Sequence, residues 1–146
     1  MLPLLYVSDT QINFYVPQDA AQSDGILAVT APSGRQATSA VSVGTLQPAI
    51  FAAAGTPVAA GDYIEIYCTG LGATHAVGGL QQTVVTPVVF LGGVRLAPSY
   101  SGLTGGGLPG LYQVNVQVPT GLAAGPQPLA IVAGSHRSNE ISILVR

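Results

Sequence analysis

Two histidines, one cysteine and six carboxylates carry most of the conventional catalytic chemistry available to this chain. His75 lies in Gly72-Ala-Thr-His-Ala and His136 in Gly134-Ser-His-Arg, both stretches that read as loops. Neither sits in an H-x-x-x-H pattern or beside a carboxylate at metal-ligand spacing, and a solitary Cys68 cannot complete a Cys/His zinc set. Solvated loop histidines are the expectation, set against a ligand or a base. Cys68 ends an alternating run, Asp62-Tyr-Ile-Glu-Ile-Tyr-Cys68, with no cation or histidine adjoining it. It reads as a small buried hydrophobe rather than a reactive thiol. No Gly-x-Ser-x-Gly motif is present, so a serine-hydrolase elbow is not expected.

The acids are Asp9, Asp19, Asp24, Asp62, Glu65 and Glu140. A glycosidase needs two carboxylates roughly 5–10 Å apart across a cleft. Asp62 and Glu65 stand three apart on a predicted strand, so they point to opposite faces and do not make that pair. Asp19 and Asp24 bracket a loop but lack the D-x-[DN]-x-[DN]-G pattern of a calcium loop. The glycines 105–107 precede Leu-Pro rather than Lys-Ser/Thr, which fits a flexible connection and not a phosphate cradle. No catalytic residue, metal site or cofactor is expected.

Tyrosines are the remaining chemistry. Tyr63 and Tyr67 are four apart, hence on one strand face with Glu65 between them, and that face is expected to be polar. Tyr100 and Tyr112 flank the Gly-rich loop, and Tyr15 adjoins Phe14 on another predicted strand. By alternation one of Phe14 and Tyr15 is core and the other exposed; Tyr15 is the expected outward one. Tyr15, Tyr63, Tyr67, Tyr100 and Tyr112 are thus candidate ligand-binding residues for an aromatic platform. Core packing and tyrosine-corner roles compete for the same side chains, and the chain has no Trp.

Composition narrows the rest. Only 7% of the 146 residues are charged, against roughly 25% in an ordinary soluble domain. With 48% apolar residues, disorder is excluded. The cations are four arginines (Arg35, Arg95, Arg137 and Arg146) against a net charge of -2, so nucleic-acid binding by charge is excluded too. No apolar run reaches the roughly 18 residues of a membrane span. Met1-Leu-Pro-Leu-Leu-Tyr-Val7 lacks a basic segment and a long apolar one, so it does not read as a signal peptide. A cytoplasmic protein, or a module whose signal lies upstream, accounts for that start. Low charge with abundant Thr, Ser, Gly, Gln and Asn suits an extracellular or cell-surface location.

Period-2 patterning dominates, predicting strands over residues 4–7, 11–16, 26–31, 37–43, 49–53, 63–69, 84–91, 94–99, 111–118, 128–133 and 138–145. Gly and Pro punctuate them, and no stretch has helical periodicity. An internal repeat stands out. Gln11-Ile-Asn-Phe-Tyr-Val-Pro17 matches Gln113-Val-Asn-Val-Gln-Val-Pro119, Ile26-Leu-Ala-Val-Thr30 faces Pro128-Leu-Ala-Ile-Val132, and Val41-Ser-Val43 faces Ile141-Ser-Ile143. The same three-strand unit is used twice, but only the second copy has a long strand-rich stretch before it. Residues 1–45 therefore read as a partial repeat that must pack on something, and residues 46–146 as a complete domain.

Gly61-Asp-Tyr-Ile-Glu-Ile-Tyr-Cys-Thr-Gly-Leu-Gly72, Val88-Val-Phe-Leu-Gly-Gly-Val94 and Gln113-Val-Asn-Val-Gln-Val-Pro119 resemble strands and turns of the IPT/TIG immunoglobulin-like domains. Paired with Leu4 to Pro17, the run Gly110 to Pro119 also resembles an uncharacterised C-terminal module of large secreted bacterial proteins. The resemblance implies an all-β, immunoglobulin-like antiparallel β-sandwich with one full repeat and one partial N-terminal repeat. Three function classes follow: a non-catalytic module for spacing, anchoring or protein assembly; a carbohydrate-binding module of a polysaccharide-active enzyme; and a hydrolase. The first is favoured, with a protein or polysaccharide partner, and with homodimerisation through strand edges or segment exchange motivated by the truncated repeat.

Overall fold

The computed structural model describes residues 1–17, 19–106 and 108–146; Gly107 of the predicted Gly-rich loop lies outside them. The described residues form no helix, and every pairing between two strands is antiparallel, the isolated Val58–Val145 bridge being parallel. The chain divides into two compact units, Met1–Thr45 and Leu46–Arg146.

The first unit is two ribbons. β1 (Leu4–Val7) pairs with β2 (Ile12–Phe14), and β3 (Asp24–Thr30) pairs with β4 (Gln36–Ser42) in continuous register from Asp24↔Ser42 to Thr30↔Gln36. Ser8 turns the first hairpin, its Oγ accepting from the Gln11 N–H at 3.1 Å. None of its described residues is buried. Phe14 stays 36% exposed and Tyr15 is half-buried, so the expected pairing of a core Phe14 with an outward Tyr15 does not hold. The reason is physical: the described residues of the β1–β2 ribbon hold no buried side chain, so alternation along β2 separates no core face from an exposed one.

Among the described residues the second unit has eleven strands in two sheets. β5 (Ala49–Ala54), β6 (Tyr63–Thr69), β7 (Thr74–Val77), β8 (Leu80–Thr83), β9 (Val88–Leu91), β10 (Val94–Leu96), β11 (Tyr100–Leu103), β12 (Tyr112–Gln117), β13 (Gly125–Ala133), β14 (His136–Arg137) and β15 (Ile141–Val145) follow in order. One sheet runs β5-β6-β12-β11-β8-β7. The other runs β10-β9-β13, with β15 and β14 sharing the far edge of β13.

Alternation builds the core. Ile64, Ile66 and Cys68 of β6, and Val114 and Val116 of β12, face inward from the six-stranded sheet. Val89 and Leu91 of β9 with Leu129 and Ile131 of β13 face them from the other, and all belong to one buried cluster. Each such side chain contributes about 1.5–3 kcal/mol by leaving water. The unit's C-terminus is tied in through Val58, whose N–H donates to the Leu144 carbonyl at 2.9 Å and whose carbonyl accepts from Arg146 at 2.8 Å.

An edge is also guarded. Asn139 accepts from the Ile50 N–H at 2.7 Å and donates to the Ile50 carbonyl at 3.1 Å, standing in for a neighbouring strand on β5. A side-chain amide there satisfies groups that would otherwise template another chain.

Candidate functional site

The outward positions of the six-stranded sheet are the candidate site. Because Ile64 and Ile66 point to the core, Tyr63, Glu65 and Tyr67 of β6 point away from it. The register sets Tyr63 opposite Gln117, Glu65 opposite Asn115 and Tyr67 opposite Gln113 on β12. Directly opposed side chains of such pairs stand roughly 5 Å apart at Cβ, so phenols and amides alternate across one surface. On the far side of β12, Tyr100 of β11 opposes Asn115, and Gly102 opposes both Gln113 and Gln82.

Tyr100 is held by its own strand. Its ring crosses Gly102, where an added Cβ would overlap the Tyr100 hydroxyl, and that hydroxyl donates to the Leu103 carbonyl at 2.9 Å. Gly102 is therefore the absence of a side chain that lets an aromatic lie across the sheet. Nearby, Gln113 Nε2 donates to Asn115 Oδ1 at 2.9 Å, and Gln117 Nε2 donates to the Gly61 carbonyl at 3.0 Å. These bonds fix the amides in orientation while leaving their second lone pairs or protons for a ligand.

Tyr67 and Glu65 form a charged contact on the face, the phenol donating to Glu65 Oε2 at 2.9 Å. That hydrogen bond, and then the carboxylate's charge, push the Tyr67 phenol above its ordinary value. Ultraviolet titration is expected to include a raised phenol contributed by Tyr67. Glu65→Gln should return it to the common range; an unchanged curve would count against the pair.

Of the five tyrosines proposed from sequence, the structure brings Tyr63, Tyr67 and Tyr100 onto one face. Tyr112 belongs elsewhere: it opposes Cys68, is buried, and its hydroxyl donates to the Gly72 carbonyl. Even positions of β12 face the core, so a tyrosine there packs rather than binds. Tyr15 lies in the first unit, just beyond β2. Gln113 and Asn115 belong to the face without being sequence candidates, although their alternation with Val114 and Val116 carries the signal.

Both histidines sit on short exposed strands rather than in loops. His75 is in β7 opposite Gln82, and His136 is in β14 opposite Ala133. Their segments hold too few apolar residues to announce a strand. Asp62 precedes β6 instead of lying on it, and accepts from the Ala59 N–H at 2.8 Å as a turn cap. Glu140 pairs with Arg137 at 3.2 Å, and that guanidinium lies 5.6 Å from the centre of the Phe90 ring. Among the described residues no three His, Cys, Asp or Glu side chains are grouped to hold a metal ion. No helix among them is long and apolar enough to cross a membrane.

Cys68 is fully buried on the inner face of β6, and burial pushes its thiol from 9.0 up to about 12. The folded value lies above the unfolded one, so this contribution to stability is complete below pH 9 and is lost as pH rises toward 12. At neutral pH a disulfide reagent is expected to leave Cys68 untouched until denaturant opens the core. Rapid labelling of the native protein would contradict the packing.

In comparisons with known proteins, no family model and no curated protein matches the chain.

Proposed function

We propose that this chain is a non-catalytic, extracellular module of immunoglobulin-like sandwich build that spaces, anchors or assembles a larger secreted or cell-surface protein. Residues 1–45 are its assembling part. One observation carries the reading. Ile12, Phe14 and Val16 are 37%, 36% and 45% exposed, while their repeat counterparts Val114, Val116 and Val118 are 0%, 0% and 2% exposed. Equivalent apolar positions are a finished core in one unit and an open surface in the other. A contiguous apolar surface of that kind marks an interaction site. The test is dye binding by the full chain: either an apolar fluorophore binds residues 1–45, or self-association hides them. A monomer that binds no such dye would overturn the reading.

A second reading is favoured by the outer face of the six-stranded sheet. Phenols at 63, 67 and 100, amides at 113, 115 and 117, and a single carboxylate with no cation opposite it suit a neutral, polyhydroxylated chain. Aromatic faces would stack on sugar rings and the amides would bond their hydroxyls. Affinity electrophoresis in gels containing neutral polysaccharides tests it. Retardation lost in Tyr63→Ala, an exposed position, supports it; unretarded wild-type chain on every gel removes it.

A further inference from the structure

The first unit is two separate ribbons, β1–β2 and β3–β4, and the repeat makes the second unit their template. In the second unit β5 lies against β13 and β15, so ribbon β13–β15 stacks on β5–β6, and β9–β10 stacks on β12–β11. The repeat equates β2 with β12, β3 with β13 and β4 with β15.

Hydrogen bonding shows which edges are open. Gln11 O and Tyr15 N bond to the β1 side, as Leu111 O and Asn115 O bond to the β11 side. So β1 occupies the β11 edge, and among the described residues no strand pairs with the edge of β2 that would face a β6. Likewise Ala31 N and Ser23 O serve the β4 side, as Ile131 O serves the far edge of β13. Among the described residues no strand pairs with the edge of β3 that would face a β9 either. What is missing is one ribbon in each sheet, on opposite sides.

We infer that a second copy of this chain fills both gaps, its β2 and β3 pairing antiparallel with their own counterparts about a two-fold axis normal to the sheets. This deepens the assembly reading and rests on it. The template supports the symmetry: β6–β12 and β9–β13 are both antiparallel, the only arrangement such an axis permits for like strands. The face to be covered carries Leu4, Val7, Ile12, Phe14, Leu27 and Val29, with Arg35 beside Val29 and Ala37 at the hairpin end of the β3–β4 ribbon. At roughly 80 Å² apiece, these six from each copy hide about 1,000 Å², the area at which specific interfaces begin.

Sedimentation equilibrium of the full chain is the experiment, with an apolar fluorophore as second readout and Cys68 masking as the check that residues 46–146 stay folded. The expected mass is twice 14.7 kDa, with little dye bound. Phe14→Asp and Val29→Asp should each weaken association at least about a hundredfold with Cys68 still masked. Tyr6→Asp, on the opposite face of β1, should not. A dimer that survives Phe14→Asp and Val29→Asp, or that Tyr6→Asp dissociates equally, overturns the inference. A monomer that binds the dye also overturns it while leaving the assembly reading standing; a dye-silent monomer removes both.

Discussion

Gly70→Ala is expected to destabilise the 46–146 unit by about 3 kcal/mol or more, the combined cost of a left-handed backbone and a steric overlap. Gly70 has φ +74, a conformation that costs a residue with a Cβ about 1–2 kcal/mol. Lack of space costs more. A Cβ at Gly70 would overlap the carbonyl of Gln47 and come within 3.1 Å of the Pro48 nitrogen. Both obstacles are backbone, so no rotamer change relieves them. They cannot easily retreat, since the Gln47 N–H donates to the Gly70 carbonyl at 2.9 Å and Pro48 is buried where the chain enters β5. Gly78→Ala is the matched control: φ is +56, but nothing lies within 4 Å of the added methyl. It should cost only the conformational part. For a unit of this size, the melting temperature followed by circular dichroism should fall by at least about 12 °C for Gly70→Ala and several degrees for Gly78→Ala. Equal shifts would mean that the close approach at Gln47 is not a constraint.

What is legible in the sequence follows from how strongly the fold enforces alternation. Strands β6 and β12 are buried on one face, so their apolar residues recur every second position, while β13 shows as the continuous apolar run Leu129–Ala133 with Leu129, Ala130 and Ile131 all buried. The predicted strand at 84–91 shrinks to β9 because Val84 closes the β7–β8 hairpin, its N–H donating to the Ala73 carbonyl at 2.9 Å, and Pro87 lacks an N–H for a ladder. The hairpin β7–β8 leaves no such mark. Thr74-His-Ala-Val77 and Leu80-Gln-Gln-Thr83 form an outer edge with little to bury, so no apolar period is required of them. Tyr100-Ser-Gly-Leu103 is hidden for the opposite reason: Ser101 and Gly102 are both buried, the first bonded to Thr83 at 3.0 Å and the second under the Tyr100 ring.

The candidate face is half legible. Tyr63, Glu65 and Tyr67 share a strand, and period-2 geometry alone puts them together. Tyr100 joins them only through β12, a long-range pairing that spacing along the chain does not encode. Tyr112 shows the limit from the other side, since its neighbourhood to a Gly-rich loop suggests exposure while its parity on β12 dictates burial. The repeat matters more than any motif, because it supplies for the apolar positions of 11–17, 26–30 and 41–43 a partner whose burial is known.

That pairing makes the second large prediction. Ile66→Ala is expected to cost about 3–4 kcal/mol, within the range for emptying a well-packed isoleucine site. Ile66 is fully buried at the middle of β6, opposite Val114 on one side and Ala53 on the other, and β-sheet hydrogen bonds hold both neighbours away from the void. Ile26→Ala removes the same atoms from β3, but Ile26 is 75% exposed and its repeat counterpart, Pro128, also points outward. It should change stability by no more than about 0.5 kcal/mol, and it should leave association untouched because it stands on the far face from Phe14 and Val29. Cys68, two residues from Ile66 on the same inner face, reports the opening directly. The denaturant midpoint for thiol labelling should drop sharply in Ile66→Ala and stay in place in Ile26→Ala. If both fell together, the outward side of β3 would have to be a buried surface, and the division into one closed core and one open half would be wrong.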